Sequence, residues 1–437
     1  MPLDLLGITV AHFFPRFNRR LGGIYDRRNQ DRSTYSVQHL LWEELLMFLC
    51  GAGARYAMVK ETERPGFVRT LLDLCGGDED AAAHPDTAYS FVAKLHPCHL
   101  VKFQAACARR LFRMRCLEKF RFGAEWLVAI DATWLRTYDH KHCNRCLHQT
   151  QEDGTTRWMH AVLEAKLILG NGMVISLASV SIENIASRNF DKQDCELKAF
   201  HRLARKLKQL FPRLPICLLL DSLYACAPVM EVCENMNWSY IAVFTEGETP
   251  ALWARAVEKA HRQPTHKITH EDGTVQNFRW ATMLQHQKHI THAVFCDETE
   301  PDGTGHTWAW ISDHRPDRHW APIIANKGGR LRWKIENEGF NEQKNGEFEL
   351  KHDYGSKGHA WYNDYLIVQV AHMLVQLIQF GDLVNKASNQ VYESFTDAFG
   401  TLRGFFVRLR ESVNRDRMAI SGLDPPGPKI QIRFDTS

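Results

Sequence analysis

Apolar residues recur at three- and four-residue spacing in Val37, Leu40, Leu41, Leu45 and Phe48, which predicts helices over 36–75. An acidic, Ala/Gly-rich loop from Gly76 to Pro85 follows. Asp86 and Thr87 are candidate caps for a helix from Ala88 to Leu95, which Pro97 breaks. Leu100 to Phe120 is strongly helical, with Arg109, Arg110, Arg113, Arg115 and Lys119 crowded toward its end. At Glu125 the character changes. Trp126 to Trp134 is a β-type run interrupted by one carboxylate, Asp131. His160 to Leu169 and Met173 to Val180 are two further strands, joined by the hairpin turn Gly170-Asn171-Gly172. Then come an amphipathic helix from Cys195 to Leu210, a buried strand from Pro215 that ends on Asp221, a short helix from Pro228 to Asn235, and a strand from Ser239 to Phe244. Three strands in meander followed by strands alternating with helices predict an α/β protein: a mixed sheet with helices on its faces.

Residues 246–322 have weak periodicity, many Trp and His, and the turn pairs Asp272-Gly273 and Asp302-Gly303. Apolar–polar alternation in Phe278 to Leu284, Ile290 to Phe295 and Thr307 to Ile311 predicts a β-rich insertion. Leu331 to Lys344 reads as a helix, Tyr354-Gly355 as a loop, and Asp364 to Phe380 as a long apolar helix. The tail from Pro425 is Pro-rich and expected to be loose. The chain therefore divides into an N-terminal helical region (1–122), a sheet domain in two parts (123–245 and 323–385) split by the insertion (246–322), and a C-terminal helical segment and tail (386–437).

Composition narrows the class. In 437 residues, 44% are hydrophobic and 11% aromatic, which excludes disorder throughout. Twelve cysteines in so long a chain are too sparse for a disulfide scaffold, so most are expected to be buried thiols in a reducing cytoplasm. Met1 to Pro15 lacks a basic stretch ahead of its apolar residues and does not read as a signal peptide. Tyr365 to Phe380 is interrupted by Gln369, His372 and Gln376 and is short of the roughly 20 apolar residues that span a bilayer. No membrane association is expected. Net charge is only +3, but residues 1–125 hold 18 Lys and Arg against 14 Asp and Glu. The excess positive charge lies there.

Burying an ionised carboxylate costs several kcal/mol unless a positive partner is present. For Asp131 and Asp221 that partner is a divalent cation, Mg²⁺ or Mn²⁺, or else the two are strand-end aspartates that cap helices and loops. Arg332 and Glu336 are four apart and share a helix face, with Lys344 about 80° further round. They offer a metal ligand flanked by two phosphate-binding cations, or an ordinary salt bridge. Glu338 lies about 200° from Glu336, so the two cannot face the same metals. Glu183 and Glu196 are either salt-bridge partners or groups behind the site. Cys143 and Cys146 form half of a zinc site that His160 can complete, or a reduced loop pair. His286, His289 and His292 alternate faces on a strand and make a poor ligand set. Trp280, Trp308, Trp310 and Trp320 either pack in the core or stack an extruded base. Arg19, Arg20, Arg27 and Arg28, with the Arg109–Lys119 cluster, are candidates for neutralising phosphates.

Three motifs together carry a resemblance. Ala-Ile-Asp131-Ala-Thr, Leu-Leu-Asp221-Ser-Leu-Tyr-Ala and Arg332-Trp-Lys-Ile-Glu336-Asn-Glu-Gly-Phe-Asn-x-x-Lys344 resemble the DDE transposases of insertion sequences, the IS-four-like group. Gly346-x-x-x-Leu350-x-His352-x-Tyr354-Gly355, Cys143-x-x-Cys146, Ser181-Ile-Glu183-Asn and Asp194-Cys195-Glu196 continue it, over residues 125–380. The group often has Tyr three residues before the Arg and Lys seven residues after the Glu. Here Gly329 holds the first position, and Lys344 follows Glu336 by eight, with Gln343 before it. The resemblance implies an RNase H-like sheet whose Asp131, Asp221 and Glu336 bind two Mg²⁺ or Mn²⁺ ions and cut DNA. Arg332 and Lys344 would lie near the scissile phosphate. It further implies double-stranded DNA, both element ends and target, as partner, a homodimer in the DNA complex, and a cytoplasmic place beside the bacterial nucleoid. A catalytically retired DNA-binding protein and an RNase H-like structure-specific nuclease are the rival expectations.

Overall fold

The structure, a computed structural model, describes residues 1–143, 145–184, 195–355, 357–415 and 429–434. Asp194 and the start of the Pro-rich tail lie outside these residues. The N-terminal region is helical: α1 (Pro2–Phe13), α2 (Phe17–Gly22), α3 (Val37–Leu49), α4 (Arg55–Thr62), α5 (Pro65–Cys75), α6 (Pro85–Lys94) and α7 (Cys98–Met114). In α1, Leu3, Leu6, Val10 and Phe13 recur at helical spacing and are buried. Ser36 caps α3 by accepting from the His39 amide. Pro65 opens α5, and Gly76, in the left-handed region, ends it. The cap of α6 is His84, whose ring accepts from the Asp86 amide, rather than Asp86 or Thr87. The seventh helix stops at Met114, short of the expected Phe120, because Arg115 turns left-handed at φ 57°.

The sheet follows: β1 (Trp126–Tyr138), β2 (Leu147–Thr150), β3 (Thr156–Ile168), β4 (Val174–Ile182), α8 (Glu196–Leu210), β5 (Ile216–Leu220), α9 (Ala227–Met236) and β6 (Ser239–Val243). Next come α10 (Pro250–His261), β7 (His266–Thr269), β8 (Val275–His286), β9 (His289–Thr299) and β10 (Gly305–Ser312). Among the described residues the strands form one ten-stranded mixed sheet in the order β2-β3-β1-β5-β6-β10-β9-β8-β7, with β4 also on β3. β1, β5 and β6 are mutually parallel, and the other pairings are antiparallel. The segment 246–322 is indeed rich in strands, but it begins with a helix and extends the same sheet through β10 on β6. Two of its hairpins, β7–β8 and β9–β10, share one chemistry with that of β2–β3, built on Asp-Gly-Thr. Asp153, Asp272 and Asp302 each accept from the amide of the Thr two residues on, around a glycine with φ near +80 to +89°.

After the sheet run α11 (Trp320–Asn326), a 3₁₀ turn Gly329–Trp333, a π-helical segment Ile335–Asn341, and α12 (Glu342–Asn345). The helix expected over Leu331–Lys344 is thus present in three different windings. Then come α13 (Ala360–Gln379), α14 (Leu383–Ala387), α15 (Phe395–Phe399) and α16 (Leu402–Arg415). α13 is buried along nearly all of its length. It packs against α1, α3, α6 and α7 on one side and β4 on the other. One hydrophobic cluster runs continuously from Leu3 through the sheet to Ile432. A second covers the opposite sheet face, from Leu127, Ala129, Cys217 and Leu219 to Trp310, Ile335 and Phe340. None of the described helices is long and apolar enough to cross a membrane.

Candidate active site

Side chains alternate across a strand. In β1, Trp126, Val128 and Ile130 enter the first cluster, while Leu127 and Ala129 enter the second. In β5, Leu218 and Leu220 enter the first, and Cys217 and Leu219 the second. Asp131 and Asp221 continue the second series on both strands. That is the face covered by Ile335 and Phe340 of the π segment. The parallel register, Trp126 opposite Ile216 through Ala129 opposite Leu219, places Asp221 level with Asp131 when carried two residues on. Neighbouring strands are about 4.8 Å apart, so the two carboxylates are adjacent.

Glu336 completes the set. A polar cleft of about 550 Å³ is lined by Asp131, Asp221, Arg332, Glu336 and Lys344, with Asn341, Asn345 and Lys351 at its rim. Three carboxylates remote in sequence therefore open into one space. Glu338 is turned away and takes a 2.8 Å bond from Lys334. The π winding at Ile335–Asn341 widens the helix where Glu336 leaves it, so the regular-helix angle expected between Glu336 and Lys344 does not apply. Such segments are frequent at functional sites.

The cleft is electrostatically strained. Burial pushes the Asp131 carboxyl up to about 6, and Asp221 and Glu196 push the same way, against Arg332 and the Ala132 amide. Asp221 is likewise raised by burial and by Glu248, against Arg332 and the Leu223 amide. Glu196 is raised by burial and by Asp221, and accepts from the Tyr224 hydroxyl at 3.2 Å. It stands behind the carboxylates, whereas Glu183 pairs with Arg145 at 3.8 Å. Lys344 is lowered by burial and by Lys351, while Asp131 and Glu336 oppose that shift. Lys351 and Asn341, both at the rim, were missed in the sequence, which offered no spacing rule to mark them.

Arg332 is buried and holds Nη1 3.8 Å from Asp131 Oδ2, with its guanidinium over the Trp333 ring. Its observed ion-pair partner is Asp131. Asp221 also plays the simpler part expected of a strand-end aspartate, capping Ser222–Tyr224 through the Leu223 amide. The cap and the cleft use the same residue.

The Glu336 segment is anchored from behind by α13. Gln343 and Gln369 exchange side-chain amide bonds at 2.9 Å, and Glu342 bonds His372 at 2.8 Å. Lys166 lies under the π segment, donating to Gln369 and facing the Phe340 ring. Gln369 and His372, which interrupt the apolar pattern of α13, are thus the residues that hold the site.

The remaining sequence candidates separate. Cys143, Cys146 and His160 come together at the far end of β1. His286, His289 and His292 make no metal-holding group among the described residues. His289 instead bonds Glu234 at 2.7 Å. Trp310 is buried, and Trp280, Trp308 and Trp320 pack against the second cluster, so all four belong to the core. The exposed tryptophans are Trp134 on β1 and Trp333 beside Arg332, 46% and 44% exposed. Arg19, Arg20 and Arg27 are exposed, but Arg28 is committed to Asp26 at 2.6 Å and to the Tyr35 carbonyl. Arg109 donates to the Leu210 carbonyl at 2.8 Å and packs over Phe211. A separate basic groove joins Lys102, Lys206 and Arg145 with His96 and His359.

No family model and no curated protein matches the chain.

Proposed function

We propose that the chain is a DNA transposase that cuts element ends and joins them to target DNA by metal-dependent phosphoryl transfer. The observation that carries the reading is the convergence of Asp131, Asp221 and Glu336 in one cleft flanked by Arg332, Lys344 and Lys351. The sheet supports it as well. An antiparallel β3–β1 pair followed by parallel β5 and β6 is the arrangement expected of an RNase H-like core, with β7–β10 as its extension.

The donor set fits Mg²⁺ or Mn²⁺: all three candidate ligands are hard carboxylate oxygens, and two of them repel each other at ordinary pH. When bound, two such ions lower the pKa of the attacking water or 3′-hydroxyl and clamp attacking and leaving oxygens in line. The chain's own residues do the rest. Arg332 balances the paired aspartates before the metals and DNA enter. Lys344 and Lys351 bring positive charge to the rim, where a backbone phosphate would approach. Trp333 and Trp134 offer exposed aromatic faces to bases nearby. Double-stranded DNA is the partner and a homodimer the assembled form.

The test is cleavage of DNA carrying the terminal inverted repeats that flank the coding sequence. Asp131→Asn, Asp221→Asn and Glu336→Gln should each lose Mg²⁺-dependent cutting by at least about a thousandfold while retaining DNA binding. Glu338→Gln should cut normally. Joining of cut ends to a target plasmid distinguishes a transposase from a nuclease, which would hydrolyse only. A wild-type protein that binds ends and never cuts would refute the catalytic reading.

A further inference from the structure

Away from the carboxylate cleft, the ligand atoms of Cys143, Cys146 and His160 form a nearly regular triangle. The two sulfurs are 3.5 Å apart, and each is 3.7 Å from His160 Nε2. Tetrahedral zinc, with Zn–S of about 2.3 Å and Zn–N of about 2.0–2.1 Å, has edges of roughly 3.8 Å between sulfurs and roughly 3.6 Å between sulfur and nitrogen. A disulfide would need the sulfurs at about 2.05 Å. Both cysteines are free thiols. We infer that Cys143, Cys146 and His160 bind one zinc ion, with water in the fourth position.

The fold explains how the triangle arises. β2 pairs with β3 through Leu147 opposite Met159 and Thr150 opposite Thr156. Carried one residue back, that register puts Cys146 opposite His160. The Cys143–Cys146 turn then folds the other thiol over the same point. The Cys146 amide bonds the Cys143 carbonyl, and the Arg145 amide donates to Cys143 Sγ at 3.3 Å. Asn184 ties the turn to the end of β4, giving its side-chain amide to the Cys146 carbonyl and its backbone amide to that of Arg145.

The His160 ring is fixed by packing. It is 2% exposed, and its ring stacks on Trp361 with centroids 4.5 Å apart. Nδ1 is buried without a hydrogen-bond partner. Nε2 is therefore the ring's working atom, and it faces both sulfurs. Among the described residues no fourth His, Cys, Asp or Glu joins the group, which leaves the last position to solvent. Two thiolates cancel the charge of the ion. The ion would clasp the loop between β1 and β2 onto β3, beside Arg136, which pairs opposite His160 on β1. The inference stands on this geometry alone and does not depend on the proposed reaction.

The test uses the full chain, expressed with zinc and purified without chelator. Metal analysis should find about one zinc per chain, and titrating zinc into chelator-stripped protein should restore it with release of about two protons per ion. Cys146→Ser and His160→Ala should each reduce bound zinc at least tenfold, whereas Cys195→Ser, at an exposed cysteine elsewhere, should not. Cobalt bound in place of zinc should show thiolate-to-metal absorption that Cys146→Ser abolishes. Should the variants prove insoluble, the wild-type titration and cobalt spectrum decide alone. Less than a tenth of an equivalent of zinc after titration, or full zinc retained by soluble Cys146→Ser, would overturn the inference.

Discussion

Gly329 stands where the transposase pattern carries a tyrosine, and the packing around it explains the difference. A Cβ added there would lie 2.2 Å from Trp310 Nε1 and 2.4 Å from Cδ1. Ordinary contact begins near 3.4 Å, so one side must give by about 1.2 Å. Trp310 cannot easily give. It is buried, and its strand is hydrogen-bonded to β6 on one edge and β9 on the other. Gly328 offers no relief, since its own Cβ would meet Ile241 at 2.5 Å and the Ile324 carbonyl at 2.6 Å. The movement falls on the 3₁₀ turn Gly329–Trp333, which carries Arg332 and leads into the Glu336 segment. Gly329→Ala should therefore destabilise the protein by about 1–3 kcal/mol, the usual cost of overpacking. On the proposed reading, displacing the Glu336 segment by about 1 Å should also slow DNA cleavage roughly a hundredfold. Gly329→Tyr, which would match the transposase pattern the sequence resembles, should be worse and lose soluble protein. The assay is the denaturation midpoint together with the single-turnover cleavage rate. A Gly329→Ala protein with wild-type midpoint and rate would refute the packing argument. A lowered midpoint with an unchanged rate would refute the link to the site.

Arg332 pulls both half-buried aspartates, Asp131 and Asp221, downward against the rise caused by burial. Arg332→Ala should therefore shift the rising limb of the cleavage pH profile to higher pH, and an unmoved profile would show that the arginine acts elsewhere. Glu43, buried beside Glu44, is pushed up to about 9 by burial first and by that neighbour second. The folded chain keeps a proton that the unfolded chain releases above its ordinary value of 4.5. Stability from this group is thus full below about pH 4.5 and is lost as pH rises toward about 9, at roughly 1.4 kcal/mol per pH unit. Glu43→Gln should flatten the fall of the melting temperature between pH 6 and pH 9; parallel curves for variant and wild type would refute the burial of a neutral acid.

The strands β1 and β5 were legible as short, nearly continuous apolar runs, buried on both faces, each meeting a single carboxylate, Asp131 or Asp221. The helices α3 and α5 lie where apolar spacing predicted helices over 36–75. What failed did so where the signal was physically weak. α10 buries Leu252, Ala256 and Ala260, and two alanines give little hydrophobic contrast. β2 is four residues long and mostly exposed, so no alternation marked it, and the meeting of Cys146 with His160 depends on its register. The π winding has no residue signature in Ile-Glu-Asn-Glu-Gly-Phe-Asn. The segment rests on neighbours remote in sequence: a Cβ added at Gly339 would lie 3.3–3.5 Å from the Lys166 side chain, and Gln343 is tied to Gln369.

α13 links these observations. On one side Asn363 donates to the Val92 and Leu95 carbonyls, and Asp364 receives Arg55 of the helical region at 3.1 Å and Arg136 of β1 at 3.5 Å. Arg55 also pairs with Glu44. One to two turns on, Gln369 and His372 hold the segment that carries Glu336. The same buried helix thus meets the N-terminal helices, the strand of Asp131 and the third carboxylate. Removing residues 1–122 would strip α1, α3, α6 and α7 from α13 and expose its apolar face. It would also leave Asp364, a fully buried carboxylate, without Arg55, and breaking one partner of a buried pair costs several kcal/mol. If the proposed reading holds, a chain begun at Gly123 cannot separate DNA recognition from cutting, because it loses the support of the carboxylate cleft itself. On the proposed reading, recognition is better dissected by charge reversal at exposed cations: Arg19, Arg20 and Arg27 on the helical region, and Lys102 and Arg145 in the basic groove. These positions lie on both sides of the 1–122 boundary, so the helical region need not be the whole of the DNA-binding surface.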